Sequence, residues 1–365
     1  MELNEKTHHI IKVALTGGPC AGKTTALVRI IEHFTGLGFQ VYTLPEIPTM
    51  FIQAGVNYLT KNQDFFYQAE RSTLAFQIEM EDQFMQMAAL SGRDTLIVCD
   101  RGTMDISAYL QPETWQALLD EMGLNTVKLR DSRYDAVLHL VTAANGAEQF
   151  YTTANNKARS EGIEQACALD KKIIKAWTGH PHLRVIDNEF DFEQKIHNVL
   201  TEISTVLGMP QPVETERKFV VEVVGEIPNA IESEITQTYL VSQPGTEARL
   251  RKRGWQGNYV YFHTTKQMVS ETERIETERQ ITPKQYLALL QQADPNRQTI
   301  RKIRKNFVWE KQYFELDTYL EPESKLNILE IEGVKDADIN FPPFLRVVED
   351  ITGNTDYYNY SLSKK

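Results

Sequence analysis

Hydrophobic and polar positions follow two different periods along the chain. In the first part, short apolar runs predict buried strands at 10–16, 39–44, 95–99, 136–141 and 183–186. Between them, apolar residues recur every 3.6 positions, which predicts helices at 22–35, 63–90, 163–177 and 190–207. Because strands that alternate with helices pair mainly in parallel, this part is predicted to be an α/β domain with a five-stranded sheet and flanking helices.

The second part begins after Gly208, where two prolines within four residues end the last helix. Beyond that point the hydrophobic period changes from 3.6 to 2, the period of half-buried strands. We therefore predict a first domain at 1–208, a linker at 209–213 and an antiparallel α+β domain at 214–365.

A phosphate-binding motif lies between the first predicted strand and the first predicted helix. Its residues match G-x-x-x-x-G-K-[ST] and are Gly17, Gly18, Pro19, Cys20, Ala21, Gly22, Lys23 and Thr24. In such a loop, backbone N–H groups curl around phosphates, Lys23 reaches the terminal phosphates and Thr24 binds Mg²⁺. The N-terminus of the following helix, which includes Thr25, also favours an anion. The motif predicts an ATP or GTP site.

Charged residues at three other places are candidates for the same site. Asp100 and Arg101 follow the strand 95–99, where Asp100 would position Mg²⁺ or its water and Arg101 would clamp a phosphate. Glu46 follows the strand 39–44 and is a candidate general base. Lys157 and Arg159 would belong to a lid that neutralises the transferred phosphate. The alternatives are a surface ion pair in a turn, a carboxylate at a helix start, and a solvated charged loop.

These positions resemble those of small P-loop kinases of the deoxynucleoside and nicotinamide-riboside type. In these proteins a carboxylate follows the second strand, an acid–arginine pair follows the third, and an arginine-bearing lid precedes a late helix. Glu46, Asp100, Arg101 and Arg159 match by position. The resemblance implies an AAA-type or kinase-like domain that binds ATP or GTP.

Charges at alternate positions recur along the second part. In a strand, such side chains share one face, and apolar residues occupy the opposite face. The recurring charges are Glu214, Glu216 and Lys218; Arg249, Arg251 and Arg253; Glu276 and Glu278; Lys302 and Arg304; Glu315 and Asp317; and Glu330 and Glu332. One alternative is a sheet whose charged face meets water. We favour a closed barrel with an ionic lumen and an apolar exterior covered by helices.

This pattern strongly resembles the CYTH or triphosphate tunnel metalloenzyme superfamily, whose signature is E-x-E-x-K. The resemblance implies that phosphate is held by Lys218, Arg249, Arg251, Lys266, Lys302 and Arg304. It implies Mg²⁺ or Mn²⁺ ligands among Glu214, Glu216, Glu278, Asp317, Glu330 and Glu332. Lys218 is also a catalytic candidate. The implied reaction is metal-dependent hydrolysis of a triphosphate or polyphosphate.

Bulk composition limits the partners. The net charge of −11 argues against nucleic acid, which would require a basic surface. We expect no transmembrane segment, because no apolar run approaches the roughly 20 residues that would span a bilayer. The polar first residues lack the features of a signal peptide, and three widely spaced cysteines fit a reducing compartment, so we expect a cytoplasmic protein.

Over its whole length the chain resembles two fusions of a P-loop domain with a tunnel domain. One is the plant tunnel proteins with a uridine-kinase-like N-terminus, and the other is the family of the insect TRPL translocation defect protein. The leading hypothesis is an enzyme that binds or cleaves nucleotide at the P-loop and hydrolyses a triphosphate in the barrel. The second is a GTP-gated regulatory protein that binds a phosphorylated ligand such as a phosphatidic-acid headgroup. The third hypothesis is an enzyme that processes RNA ends.

Overall fold

A computed structural model of the protein describes most of the chain as two units. The described residues are 8–58, 60–151, 162–189, 191–209, 211–212, 216–268, 273–310, 312–322, 325–332 and 339–365. Lys157, Arg159 and Glu214 lie outside them. Contacts between residues divide the chain into Met1–Ile203 and Ser204–Lys365, which we call the N-terminal and C-terminal units.

The described part of the N-terminal unit alternates strands and helices. The strands are β1 Ile10–Gly17, β2 Gln40–Leu44, β3 Thr95–Asp100, β4 Ala136–Leu140 and β5 Leu183–Ile186. The helices are α1 Lys23–Gly36, α2 Ile47–Gln53, α3 Gln63–Ser91, α4 Pro112–Met122, α5 Thr126–Asp131, α6 Ile163–Trp177 and α7 Phe192–Val206.

The five strands form one parallel sheet, as the sequence predicted, and their order is β2-β3-β1-β4-β5. Val13, Ala14 and Leu15 of β1 have no exposed surface, because helices cover both faces of a parallel sheet. The carboxyl ends of β1, β2 and β3 lie side by side at one edge. The P-loop and the residues that follow the other two strands therefore meet at that edge.

Three helices of this unit were not predicted. α2 has only seven residues and α5 only six, too few to establish a helical period. α4 is longer and buries Trp115, Leu118 and Leu119 on one face behind an initial proline. Its start signal could have been recognised from the sequence.

A buried carboxylate ties α3 to the sheet. Glu81 is fully buried and accepts hydrogen bonds from Lys12 Nζ of β1 at 2.9 Å and from Tyr134 Oη at 2.6 Å. Gln77 Nε2 lies 2.8 Å away and Arg133 Nε 2.9 Å away from the same carboxylate. Two cations and two neutral donors thus surround an anion that would be costly to bury alone.

The C-terminal unit is built mainly of strands. Those described are β6 Gln211–Pro212, β7 Glu216–Val223, β8 Ile231–Leu240, β9 Thr246–Trp255, β10 Asn258–Met268, β11 Glu273–Ile281, β12 Ile300–Trp309, β13 Gln312–Glu321, β14 Asn327–Glu332 and β15 Leu345–Asp350. Its short helices are α8 Pro283–Leu289 and α9 Asn359–Leu362.

The prediction of a closed barrel is not confirmed, because the hydrogen-bonded sheet is open over the described residues. All neighbouring strands are antiparallel, in the order β15-β7-β14-β13-β12-β8-β9-β10-β11-β6. Pairing stops at β6, which is two residues long, and at β15, whose side chains are mostly exposed. Charges at alternate positions predict a sheet with one charged and one apolar face. They do not predict whether the sheet closes into a barrel, because closure depends on how its two edge strands pair.

The two faces of this sheet differ as the period of 2 requires. The apolar face packs into a cluster formed by Phe219, Val221, Phe307, Phe314, Leu316, Leu329, Ile331, Phe344 and Leu345. α8 covers another part of it, where Tyr286 packs with Leu240 and Leu250. The charged side chains occupy the opposite face.

Among the described residues, no helix combines the length and the apolar character that crossing a membrane requires.

We expect Glu81→Ala to lower the free energy of unfolding of the N-terminal unit by about 3–5 kcal/mol, because it leaves the buried Lys12 ammonium without its counter-ion. Urea unfolding followed by circular dichroism measures this loss. The control is Glu79→Ala on the exposed side of α3, with an expected change within about 0.5 kcal/mol. Equal losses in the two variants would contradict the role of Glu81.

Candidate functional site

The P-loop lies between β1 and α1, and two of its glycines are sterically required. A Cβ at Gly17, whose φ is +143°, would lie 2.1 Å from the Leu140 carbonyl oxygen. A Cβ at Gly22, with φ +90°, would lie 2.6 Å from the Phe192 ring. Lys23 Nζ turns back onto the loop and donates to the carbonyl oxygens of Gly17 and Gly18, at 3.2 and 3.4 Å.

A carboxylate on α6 supports the loop from its buried side. Asp170 Oδ1 accepts from the backbone N–H of Gly18 at 2.8 Å and of Thr142 at 3.2 Å, and lies 3.1 Å from His139 Nε2. The Thr142 hydroxyl bonds to the Pro19 carbonyl oxygen. Asp170 was not predicted, because its distance of about 150 residues from the loop leaves no local pattern.

The residues predicted after β2 and β3 meet directly. Arg101 Nε donates to the Glu46 carboxylate. The guanidinium also lies 3.2 Å from Asp105 Oδ1 and 3.3 Å from the Gly17 carbonyl oxygen. Asp105, which sequence reasoning missed, accepts from Thr16 of β1 as well. One guanidinium therefore links the carboxyl ends of three strands.

This network shifts the pKa values of the site. Burial and the Arg101 guanidinium lower the pKa of Lys23 to about 8. Burial alone would raise the pKa of Glu46, but Arg101 and Lys23 outweigh it and hold this pKa at about 2. Burial raises the pKa of Asp100, although Lys23 opposes the shift.

The donor set at this edge fits a hydrated divalent cation. Asp100 Oδ1 is buried and has no hydrogen-bond partner among the described residues. The hydroxyl-bearing side chains of Thr24 and Thr25 are exposed and line the same cavity. A carboxylate and a hydroxyl are hard oxygen ligands of the kind that Mg²⁺ prefers.

These residues share a cavity of about 1490 Å³. It brings together the predicted Pro19 to Thr25, Glu46, Asp100 and Arg101. It also contains residues that sequence reasoning missed, among them Glu70, Thr73 and Gln77 of α3, and Asn188, Phe192 and Lys195 near the start of α7. The α3 residues lie three to four positions apart on the buried face of a long helix, but polar residues at this spacing are usually solvated, so only their burial identifies them.

The predicted lid cannot be compared with this geometry, because Arg159 lies outside the described residues. In the C-terminal unit, Glu214 lies outside them too. Glu332 is placed on β14 opposite Glu216, but its side chain is not described.

The predicted charged side chains that the structure describes in the C-terminal unit share one face of the sheet, which we call the charged face. Lys218 Nζ lies 2.8 Å from Glu330 and 3.1 Å from Glu216. Arg304 lies 2.6 Å from Asp317 and 2.7 Å from Glu330.

A second group of ion pairs lies on β9, β10 and β11. Lys266 Nζ lies 2.7 Å and Arg249 Nη2 lies 3.3 Å from Glu276. Arg251 Nη1 lies 3.5 Å from Glu278. Burial would raise the pKa of Glu276, but Lys266 and Arg249 hold it at about 2. Lys302 pairs with Asp317, so each predicted phosphate-binding cation already contacts a carboxylate.

The sheet curls around its charged face. Burial and the Glu330 carboxylate raise the pKa of Glu216, while the Lys218 and Lys266 ammonium groups lower it. Lys266 is on β10, six strand positions from β7, and in a flat sheet it would lie about 29 Å from Glu216 at roughly 4.8 Å per strand. The influence of Lys266 on Glu216 therefore requires strong curvature.

The C-terminal residues pack against one end of the charged face. Tyr239, Ile300, Tyr319, Ile328 and Ile351 form a buried cluster there, to which α9 adds Tyr360 and Leu362. Asn359 Oδ1 accepts a hydrogen bond from Tyr319 Oη at 2.7 Å.

The described acids of the charged face provide only part of the predicted metal site. No group of three or more His, Cys, Asp or Glu side chains is close enough to share a metal ion among the residues that the structure describes. Two acids that the resemblance implies as metal ligands, Glu216 and Glu330, repel each other, and the Lys218 ammonium contacts both carboxylates.

Comparison with protein families identifies the N-terminal unit. The AAA domain family matches residues 12–195, just over half of the chain. The chain therefore belongs to the AAA domain family, and this unit is an AAA nucleotide-binding domain. The match confirms the predicted P-loop nucleotide-binding domain. The resemblance to the TRPL translocation defect family is not confirmed, and no curated protein matches the chain.

Similar solved structures match the chain only in part. The inorganic triphosphatase NE1496 is 28% identical over 42% of this chain and 95% of its own, with a TM-score of 0.32. A conserved hypothetical protein from Pyrococcus furiosus is 20% identical over 34% of this chain and 80% of its own, with a TM-score of 0.26. Likenesses at these TM-scores support no inference about fold or function.

We expect nucleotide affinity to fall as the pH rises through 8. The charged Lys23 ammonium attracts phosphate, and its pKa of about 8 means that the free protein loses this charge above that pH. Titration with a fluorescent ATP analogue between pH 7 and 9.5 measures the effect. Lys23→Arg keeps its charge and should flatten the profile.

The control is Lys195, which lines the same cavity and whose pKa burial also lowers to about 8. If Lys195→Arg flattened the pH profile and Lys23→Arg did not, the assignment to the P-loop lysine would be wrong.

Proposed function

We propose that the N-terminal unit transfers the terminal phosphoryl group of ATP or GTP to an acceptor hydroxyl. The observation that carries this proposal is the shared cavity, in which Lys23 and Thr24 of the P-loop face Glu46, Asp100 and Arg101. A nucleotide switch needs the P-loop and its metal. A carboxylate and a guanidinium beside the phosphates are what a transferase needs in addition.

The side chains have separate roles in this proposal. Lys23 and the loop N–H groups hold the β- and γ-phosphates. Arg101 neutralises charge on the transferred group, for which it exchanges part of its contact with Glu46. With a pKa of about 2, Glu46 is a weak base, so it orients the acceptor hydroxyl by accepting its hydrogen bond. Little proton removal is required early in a loose phosphoryl-transfer transition state.

Thr24 and Asp100 would hold Mg²⁺ directly or through water. The ion, when bound, neutralises the phosphate oxygens and orients them. The unpartnered oxygen of Asp100 and the exposed hydroxyl of Thr24 support this assignment.

Two substitutions separate binding from transfer. We expect Lys23→Ala to abolish nucleotide binding, because it removes the cation that holds the terminal phosphates. We expect Glu46→Gln to keep nucleotide affinity within a few-fold and to lower turnover about 100-fold, since an amide orients a hydroxyl less well. Calorimetry and ADP or GDP release measure the two effects.

The contrary outcome is equally specific. If the wild type binds GTP with Mg²⁺, shows no turnover, and gains affinity for phosphatidic-acid vesicles when GTP is bound, the unit is a GTP-gated switch.

For the C-terminal unit, we propose metal-dependent binding and hydrolysis of a triphosphate or polyphosphate on the charged face. The supporting observation is the set of ion pairs on this face, in which Lys218 and Arg304 share Glu330 and Lys266 pairs with Glu276. A concave surface lined by both signs of charge can hold a metal ion on its acids and phosphate on its cations.

The ion pairs suggest how this surface would respond to its ligand. Lys218 and Arg304 share Glu330, so a cation on that carboxylate would free both side chains for phosphate oxygens. Mg²⁺ or Mn²⁺ suits Glu216 and Glu330, and Glu214, Glu278, Asp317 and Glu332 are further proposed ligands. Lys218, Arg249, Arg251, Lys266, Lys302 and Arg304 are the proposed phosphate ligands.

Glu330→Gln and Lys218→Ala should each lower the hydrolysis of inorganic triphosphate at least 100-fold, because one removes a proposed metal ligand and the other a phosphate contact. Phosphate release with Mg²⁺ or Mn²⁺ measures this. Arg301→Ala is the matched control, since Arg301 is on the same strand as Arg304 but pairs with Glu321 in solvent. Unchanged release in the first two variants would rule out a catalytic charged face.

A further inference from the structure

The cavity of the N-terminal unit is larger than a nucleotide alone requires. Its volume is about 1490 Å³, whereas sites for one drug-sized ligand measure roughly 300–1,000 Å³. The P-loop and the start of α7 form one side. The other side, which we call the α3 wall, consists of Tyr58, Phe66, Glu70, Thr73 and Gln77.

Glu70 is the unusual member of the α3 wall. Its side chain is 4% exposed, and it forms no hydrogen bond or ion pair with any described residue. The other buried carboxylate of this helix, Glu81, has four donors. Because an unpaired buried charge is costly, burial raises the pKa of Glu70 to about 7. A cationic ligand from outside the chain would supply the partner that this carboxylate lacks among the described residues.

Two aromatic side chains line the cavity together with this carboxylate. Phe66 precedes Glu70 by one helical turn on the same face of α3. Tyr58 bonds to Thr73 at 2.5 Å, and its own pKa, raised first by burial, responds to Glu70 as well. A carboxylate attracts a cation by its charge, and aromatic ring faces in the same cavity add to that attraction.

The α3 wall also leads to the proposed site of transfer. Gln77 follows Glu70 by seven residues, about 10.5 Å along a helix, and its amide lies 3.5 Å from the Arg101 carbonyl oxygen. Arg101 contacts Glu46, the proposed orienting carboxylate. A small molecule bound at Glu70 would therefore extend along this wall toward Arg101 and Glu46, which line the same cavity.

We propose that the α3 wall binds the phosphoryl acceptor, and that this acceptor is a small cationic molecule whose ammonium group pairs with Glu70 and whose hydroxyl reaches Glu46. The contact between the hydroxyl and Glu46 rests on the proposed phosphoryl transfer. The cation site at Glu70 does not depend on that reaction. No Lys or Arg belongs to the α3 wall, so the wall does not suit an anionic headgroup.

Matched pairs of probes test the charge requirement. Choline, ethanolamine and glucosamine are compared with their uncharged counterparts 3,3-dimethylbutanol, ethylene glycol and glucose, by calorimetry at pH 8 with a non-hydrolysable ATP analogue and Mg²⁺ present. At least one cation should bind at least 10-fold more tightly than its neutral counterpart. Glu70→Gln should abolish that difference without changing nucleotide affinity, and Glu79→Gln on the exposed side of α3 should preserve it.

The stability of the same variants distinguishes a ligand site from a structural carboxylate. The pKa of Glu70 is higher in the folded state than in the unfolded state. Ionisation of Glu70 therefore lowers the free energy of unfolding as the pH rises from about 4.5 to about 7. Glu70→Gln should therefore raise the thermal midpoint of the free protein at pH 8, and by less at pH 5. A lower midpoint at pH 8 would indicate an unseen structural partner and would overturn the proposal.

The remaining outcomes are separable. If no cation binds better than its neutral counterpart, or if phosphatidic-acid vesicles bind the wall in a manner that Glu70→Gln strengthens, the cationic-acceptor proposal fails while phosphoryl transfer can still hold. If a cation binds through Glu70 but is never phosphorylated, the cation site holds and the transfer reaction fails.

Discussion

The contacts of the Arg101 guanidinium are the interactions on which the geometry of the nucleotide site depends. Arg101 contacts Glu46, Asp105 and the Gly17 carbonyl oxygen, so one side chain links the ends of β1, β2 and β3. The Arg101 guanidinium lowers the pKa of Glu46 against the effect of burial, and burial together with Arg101 lowers the pKa of Lys23. In the proposed reaction Arg101 also binds phosphate, so bound nucleotide would compete with the carboxylates that position this side chain.

In the C-terminal unit, ion pairs also stabilise buried charges, here on one face of a sheet. Burying acids and bases on one face is costly unless each finds a partner, and the ion pairs of Lys218, Arg304 and Lys266 supply those partners in the free protein. In the proposed function, a metal ion with phosphate would replace these pairs. Among the described residues strand pairing stops at β6 and β15, so we infer that curvature rather than closure brings the charges together.

Features that depend on a local sequence pattern were predicted. Features that depend on contacts between residues far apart in the sequence were missed. The P-loop motif, the period of 3.6 and the strand ends correctly predicted the parallel sheet and placed Glu46, Asp100 and Arg101 at one edge. Asp105 and Asp170 were missed, because their roles arise from contacts between distant segments. Glu70 was missed for a different reason, since a single acid in a long helix is usually solvated and only its burial makes it notable. The charges at alternate positions correctly predicted the charged face. They did not determine whether the sheet closes into a barrel, because that depends on the edge strands.

The most direct test of two phosphate sites in one chain is a crystal structure with a non-hydrolysable ATP analogue, inorganic triphosphate and Mn²⁺, in which anomalous scattering locates the metal. We predict Mn²⁺ beside Thr24 and Asp100 with the nucleotide phosphates on Lys23. We predict a second Mn²⁺ at Glu216 and Glu330 with triphosphate on Lys218 and Arg304. Nucleotide bound without metal near Asp100, or triphosphate absent from a charged face whose ion pairs are unchanged, would contradict the proposal of two phosphate sites.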